Sequence, residues 1–183
     1  MVAELSFYDE NIPCLAACPV HTNAGMYVAA IADGRDELAY LTARLPNPFA
    51  SVCGRVCAAP CEDACRRGKI DKPIAIRALK RFVTEQFGPE TGNPEVWQRV
   101  VAPPETERSE SIGIVGGGPA GMAAAHDLRR LGYQVTVYEA TDKLGGDVAR
   151  DPRVPPRPLG AAVRHRLDPR PRGEGGVRDP PRA

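Results

Sequence analysis

The sequence predicts an all-helical, cysteine-rich segment over residues 1–88, a linker over 89–109, the first βαβ unit of an α/β nucleotide-binding fold over 110–146, and an irregular tail over 147–183. Three observations carry this reading. All six cysteines fall between Cys14 and Cys65, among segments whose apolar residues recur at helical spacing. A glycine-rich turn, Gly116 to Gly121, stands between a strand pattern and a helix pattern, and a second, β-branched strand follows it. Composition then breaks: residues 148–183 hold nine Arg against four acidic residues, eight of the nineteen Pro, and no aromatic residue or cysteine.

That break hides inside a near-neutral total. The 183 residues carry 24 Lys+Arg and 23 Asp+Glu, formal net charge +1. Neither a disordered acidic chain nor a basic protein that coats nucleic acid is implied, and no nucleic-acid partner is expected. Residues 1–147 taken alone are acidic, with 15 basic and 19 acidic side chains. The opening residues lack a basic, then apolar, secretory pattern, and no run of about 18 apolar residues predicts a membrane span. The expected location is cytoplasmic. In a reducing compartment, clustered cysteines read as metal ligands or redox groups before they read as disulfides.

Each element has a local cause. A helix is expected from Thr22 or Asn23, either of which can cap it, to Ala32, with Gly34 at the C′ position. A second is expected from Asp36, carrying Leu38, Leu41 and Leu45 at helical spacing, and Pro46 and Pro48 prevent its continuation. A third starts at Pro73, aligns Ile76, Leu79, Val83 and Phe87, and ends at Gly88-Pro89. The proline-rich stretch that follows is anchored by Val96, Trp97, Val100 and Val101. Ser111–Val115 is a strand, Pro119–Leu131 a helix, and Gln134–Tyr138 an alternating strand.

The glycine turn has a mechanical reading. Gly116 permits the tight strand-to-helix turn, Gly118 lets backbone approach a pyrophosphate, and Gly121 lets the helix pack on the strands. Pro119 and Ala120 open that helix, whose unpaired N–H groups favour phosphate. Glu139 ends the second strand, where a carboxylate accepts hydrogen bonds from a ribose diol. An acid there argues against a 2′-phosphate and leaves FAD or NAD. The run from Gly116 to Ala125, followed by Glu139-Ala-Thr-Asp-Lys-Leu-Gly145-Gly146, resembles the Rossmann-like FAD-binding opening of two-dinucleotide-domain flavoproteins. By that resemblance Gly145 and Gly146 belong to an FAD site.

The cysteines stand as Cys14-x3-Cys18-Pro and Cys53-x3-Cys57-x3-Cys61-x3-Cys65. Zinc sites favour tighter pairs, so structural zinc is the second choice and an iron–sulfur cluster the first. Buried structural thiols are the bland alternative. The blocks Cys14-Leu-Ala-Ala-Cys-Pro-Val, Asn47 to Gly68 and Pro73 to Phe82 resemble the helical iron–sulfur module of the glutamate synthase small subunit and the N-terminal part of dihydropyrimidine dehydrogenase. In both, the module precedes an FAD domain. The resemblance covers residues 11–146.

It also shows departures. Those relatives carry two [4Fe-4S] clusters and use a further cysteine pair upstream of Cys14, where this chain has none. By carry-over, Cys14 and Cys65 belong to the cluster that lost its pair, and Cys18, Cys57 and Cys61 to the other. Some relatives supply a Gln or Glu to that second cluster from the next helix; here the position is Lys80, whose ammonium has no lone pair. One [4Fe-4S] cluster on Cys18, Cys57 and Cys61 is expected, with a fourth ligand from Cys14, Cys53 or Cys65; two clusters is the second reading. His21 and His126 read as surface residues.

The resemblance implies an oxidoreductase in which NAD(P)H, FAD and the cluster exchange electrons with a catalytic partner subunit or ferredoxin. No catalytic acid or base is identified. A stand-alone electron-transfer module and an inactive fragment are the alternatives. Past Gly146, codons for Asp147–Pro156 read one nucleotide later permit Met-Leu-Arg-Gly-Ile-Pro-Glu-Tyr-Arg-Leu, similar to the segment after the paired glycines in related flavoproteins. Residues 147–183 are therefore expected to be disordered or out of frame.

Overall fold

The computed structural model describes residues 11–92, 95–96, 104–154 and 164–167. Its helical part runs α1 (Pro13–Ala16), α2 (Ala24–Ala32), α3 (Asp36–Arg44), α4 (Ala50–Val56), α5 (Pro60–Asp63), a 3-10 turn (Arg66–Lys69), α6 (Ile76–Phe87) and a second 3-10 turn (Pro89–Thr91). Asn23 caps α2 as expected, its Oδ1 accepting from the Met26 N–H at 2.9 Å. Gly34, at φ +70°, takes the left-handed position beyond the helix end. Asp36 and Glu37 in the first turn of α3 and Arg44 in its last complement the helix dipole.

α6 departs from its expected start. It begins at Ile76, not Pro73, because the Arg77 N–H is satisfied by Glu62 Oε1 at 2.7 Å. That cap arrives from α5, fifteen residues upstream.

The core lies where α2, α3 and α6 meet. Tyr27, Tyr40 and Val83 are buried, and Ala24, Ala30, Ala39 and Ala43 let the helices approach closely. The Tyr27 hydroxyl donates to the Ile76 carbonyl at 3.2 Å, which meets the polar requirement of a buried ring. Val96 packs on this core as expected; Trp97, Val100 and Val101 lie outside the described residues.

α4 is tied to the end of α6 by a buried ion pair. Arg55, with its side chain 5% exposed, donates to Glu90 Oε1 and to Glu85 Oε1, each at 3.0 Å, and to the Ser51 carbonyl at 3.0 Å. Ser51 also donates to Glu90. Burial pushes the Glu90 carboxyl above its usual range, against the pull of Arg55. Arg55→Met should cost about 3 kcal/mol in chemical denaturation, near the low end for breaking a buried pair because Glu90 can take up a proton. An unchanged denaturation midpoint would show that this pair is energetically idle.

The α/β part contains β1 (Ser111–Val115), α7 (Pro119–Arg130), β2 (Gln134–Glu139), a 3-10 turn (Gly146–Arg150) and β3 (Arg164–Leu167). The strands are parallel in the order β1-β2-β3, with Ser111 opposite Gln134, Val115 opposite Tyr138, and Glu139 opposite Leu167. Along β2, Val135 and Val137 are buried while Gln134 and Tyr138 are exposed, which is the alternation of a sheet covered on one face. α7 supplies the cover: Ala125 packs on both valines.

One sequence expectation, for His126, needs correction here. In the tail expected to be irregular, the described residues include a 3-10 turn at Gly146–Arg150, a buried Val154, and Arg164–Leu167 paired with β2. Strand pairing through backbone groups requires no hydrophobic alternation, so Arg-His-Arg-Leu gave no signal. The disordered or out-of-frame reading of 155–163 and 168–183 concerns residues outside those described. His126, expected on the surface, has a side chain only 11% exposed. Arg44 reaches it from α3, with Nη1 and Nη2 each 3.5 Å from Nε2. Because Arg only donates, Nε2 accepts, and the Nδ1 proton faces Asp127 Oδ1 at 3.0 Å.

Candidate cluster and dinucleotide sites

The cysteines are distributed over short elements that the core holds in place. Cys14 is on α1, Cys18 just beyond it, Cys53 on α4, Cys57 at the C-terminal cap of α4, Cys61 on α5, and Cys65 immediately before the first 3-10 turn. All six are free and partly buried. α1 packs against α5 and α2, and Cys14 and Cys61 pack against the core that contains Tyr27.

Electrostatics show which sulfurs share a locality. Burial raises the Tyr27 hydroxyl pKa far above its usual value, and negative charge on Cys61, Cys18 and Cys14 raises it further. Burial pushes the Cys61 thiol up; Lys80 opposes this, while Cys18, Glu62 and Cys57 add to it. At Cys18 burial is outweighed by the Thr22 and Val20 N–H groups, the Thr22 hydroxyl and Lys80, which together hold the thiol below its usual value. Cys14, Cys18 and Cys61 thus act on one ring, Cys18 and Cys61 feel one ammonium, and Cys57 acts on Cys61.

The other two sulfurs have different surroundings. Cys53 Sγ accepts from Asn47 Nδ2 at 3.3 Å. The Cys65 thiol is lowered chiefly by the Ile74 N–H, with the Arg67 and Gly68 N–H groups helping.

Two non-glycine residues adopt left-handed backbone beside the grouped cysteines: His21 at φ 48°, three residues after Cys18, and Ala59 at φ 58°, two after Cys57. Such conformations cost roughly 1–2 kcal/mol for L-residues. At Ala59 the conformation accompanies an N–H donated to Cys57 Sγ at 3.3 Å. Among the described residues no three His, Cys, Asp or Glu side chains converge as ligands of one ion. A cubane needs a wider arrangement, since each thiolate binds a different iron. Sulfurs on separate segments, with N–H groups directed at Cys18 and Cys57, suit that demand.

The glycine turn is built as its spacing predicts. Gly116, at φ +98°, turns the chain out of β1 and donates its N–H to the Tyr138 carbonyl at 2.8 Å. Gly118 is the N-cap of α7, Pro119 its first residue, and no side chain caps the end. A Cβ on Gly118 would meet nothing within 4 Å, whereas one on Gly121 would lie 2.0 Å from the Gly116 carbonyl oxygen. The space before the helix is open, and the helix itself is pressed against the turn. Gly145 donates its N–H to the Gly117 carbonyl at 2.7 Å, and Gly146 lies against Gly118. The paired glycines thus fold back onto the turn.

Glu139 faces the same place. Its Oε2 accepts the Gly117 N–H at 2.8 Å, and its Oε1 accepts the Thr141 N–H at 2.9 Å and hydroxyl at 3.0 Å. The Gly117 bond, then the Thr141 bonds, hold the carboxyl below its usual pKa, so it is ionised at neutral pH. Thr141 was not singled out from the sequence; its position two residues beyond the acid was the available signal.

A helical module presenting grouped thiols, joined to a glycine-cradled βαβ unit, defines an iron–sulfur, dinucleotide-binding class of protein. Comparison with known proteins agrees. Residues 7–91 match the family described as dihydropyrimidine dehydrogenase domain II, 4Fe-4S cluster, and residues 114–171 match the NAD(P)-binding Rossmann-like domain. The first match falls on the helical, cysteine-bearing part and the second on the part that holds the glycine turn.

It is 38% identical over 152 residues to the NADP(+)-dependent formate dehydrogenase subunit beta of Moorella thermoacetica, covering 75% of this chain and 22% of the relative. Against the NAD-dependent dihydropyrimidine dehydrogenase subunit PreT of Escherichia coli it is 38% identical over 138 residues, covering 74% of this chain and 32% of that one. A 100-residue match to glutamate synthase [NADH] of Saccharomyces cerevisiae is 41% identical and covers 55% of this chain and 4% of the relative. The chain thus spans under a third of each of these relatives. Among the described residues no helix is long and apolar enough to cross a membrane.

Proposed function

We propose that this chain is the cluster- and FAD-binding portion of a cytoplasmic, NAD(P)H-dependent oxidoreductase that exchanges electrons with a partner subunit or ferredoxin. The observation that carries the proposal is the packing of Cys14 and Cys61, from two separate segments, against the core that contains Tyr27, in a chain that continues into a glycine cradle.

Cys18, Cys57 and Cys61 would hold one [4Fe-4S] cluster, with Cys14 as the fourth ligand in preference to Cys53 or Cys65, whose surroundings are separate. Gly116, Gly118 and the open end of α7 would receive the pyrophosphate, and Glu139 the ribose diol. FAD is favoured over NAD here because Gly145 and Gly146, which the resemblance assigns to an FAD site, close onto the turn. When bound, the two groups supply the conversion of a hydride pair into single electrons. The chain's own residues bind, orient and electrically compensate them. Relatives named as subunits of formate and dihydropyrimidine dehydrogenases support a protein partner.

Anaerobic purification followed by iron, sulfide and flavin analysis tests this directly. About four irons per chain, as one cubane requires, together with released FAD are expected. Zinc in place of iron would overturn the cluster assignment, and a nucleotide lacking flavin would overturn the FAD assignment.

A further inference from the structure

Lys80 lies on α6 with 8% of its surface exposed, and its Nζ stands 5.7 Å from the centroid of the Tyr27 ring. A buried ammonium loses its hydration and requires a compensating charge. Among the described residues no carboxylate lies within ion-pair distance of it, while the flanking α6 cation Arg81 pairs with Glu85. Glu62, next to Cys61 in sequence, accepts the Arg77 N–H at Oε1. The ring face alone restores only part of what the ammonium loses.

The ring beside Lys80 links it to the cysteines. Tyr27 belongs to the core against which Cys14 and Cys61 pack, and α6 touches both α5, which carries Cys61, and α2, which carries Tyr27.

We propose that Lys80 is the built-in counter-charge of the cluster site, a positioning residue that sets the reduction potential of the cluster without ligating iron. The proposal rests on the cluster reading above. Adding an electron to a thiolate-bound cluster makes it more negative, and a fixed cation in a site closed to water stabilises that reduced form. The electron would come from reduced flavin, the one-electron donor that the proposed function names, and the ammonium keeps all its protons. Lys80 therefore shifts the couple toward reduction, making the cluster a readier acceptor than the same thiolates would be alone.

The test uses the full chain, purified anaerobically with its cluster, and poises it electrochemically while following the EPR signal and visible absorbance. Lys80→Met keeps the length and apolar stem of the side chain and removes the charge; its midpoint potential should fall below that of the unmodified protein. Lys80→Arg should stay near the unmodified value, as should Lys69→Met, which removes an exposed cation of the 3-10 turn. An unmoved potential in Lys80→Met, or an equal fall in Lys80→Arg, overturns the proposal. Loss of iron in Lys80→Met with retention in Lys80→Arg also supports it, whereas loss in both assigns Lys80 a role of shape alone. If the unmodified protein binds no iron, the cluster reading itself fails, and that arm separates the two failures.

Discussion

Replacing Cys61 by alanine is expected to abolish cluster binding, with loss of about four irons per chain and of the broad visible absorbance. Cys61 packs against the core that contains Tyr27, on the helix that α1, the carrier of Cys14, touches. Removing it leaves one corner of a cubane without a ligand. Neighbouring segments offer no ready substitute, because Cys53 is held by Asn47 and Cys65 chiefly by the Ile74 N–H, with those of Arg67 and Gly68. Cys53→Ala should by contrast retain iron. Full iron and sulfide in the Cys61→Ala protein would remove that residue from the ligand set.

The second large effect concerns Gly121. Alanine there would place its Cβ 2.0 Å from the Gly116 carbonyl oxygen and 3.3 Å from Ile114 Cγ2. The backbone oxygen has no rotamer by which to escape, so α7 must move away from β1. Overpacking costs typically 1–3 kcal/mol, and about 3 kcal/mol is expected here because the clash is with main chain. The displaced helix end would also misdirect the N–H groups facing the cradle. Calorimetry should show a less stable α/β unit, and flavin should be lost before iron. Wild-type flavin content and stability in Gly121→Ala would show that the turn has slack the structure does not reveal.

The limits of sequence reading come from the range of the interactions involved. α2 and α3 were legible because Asn23, Gly34 and Asp36 act within one turn of the residues they organise. β1, α7 and β2 were legible because glycine spacing and alternation are local too. α1, α4 and α5 were not. Each has seven residues or fewer, and Cys, Pro and Ala over so short a span establish no period. The start of α6 depends on Glu62, and the burial of His126 on Arg44. Both partners are remote in sequence, so neither effect has a local signature.

The candidate sites divide along the same line. The spacing of cysteines and glycines identified the residues, but spacing alone left the fourth sulfur open among Cys14, Cys53 and Cys65. Packing of α1 on α5 brings Cys14 toward Cys61, and the fixed surroundings of Cys53 set it apart. Lys80 was visible as a residue that cannot ligate iron. Its burial beside Tyr27 became evident only once α2 and α6 were in contact.

The bonding of Glu139 bears on how strongly a ribose would be held. A surface glutamate samples many rotamers, and a ligand that captures it must first suppress them, at about 0.5–1.5 kcal/mol for a flexible side chain. Here the Gly117 N–H holds Oε2 and the Thr141 N–H holds Oε1, with the Thr141 hydroxyl proton shared between Oε1 and the Lys143 carbonyl, while Oε2, with its single bond, keeps a lone-pair direction for an incoming hydroxyl. Folding has therefore already met most of that entropic cost. A diol arriving at this carboxylate meets a rigid acceptor, so the affinity of the cradle depends on a threonine that need not touch the ligand.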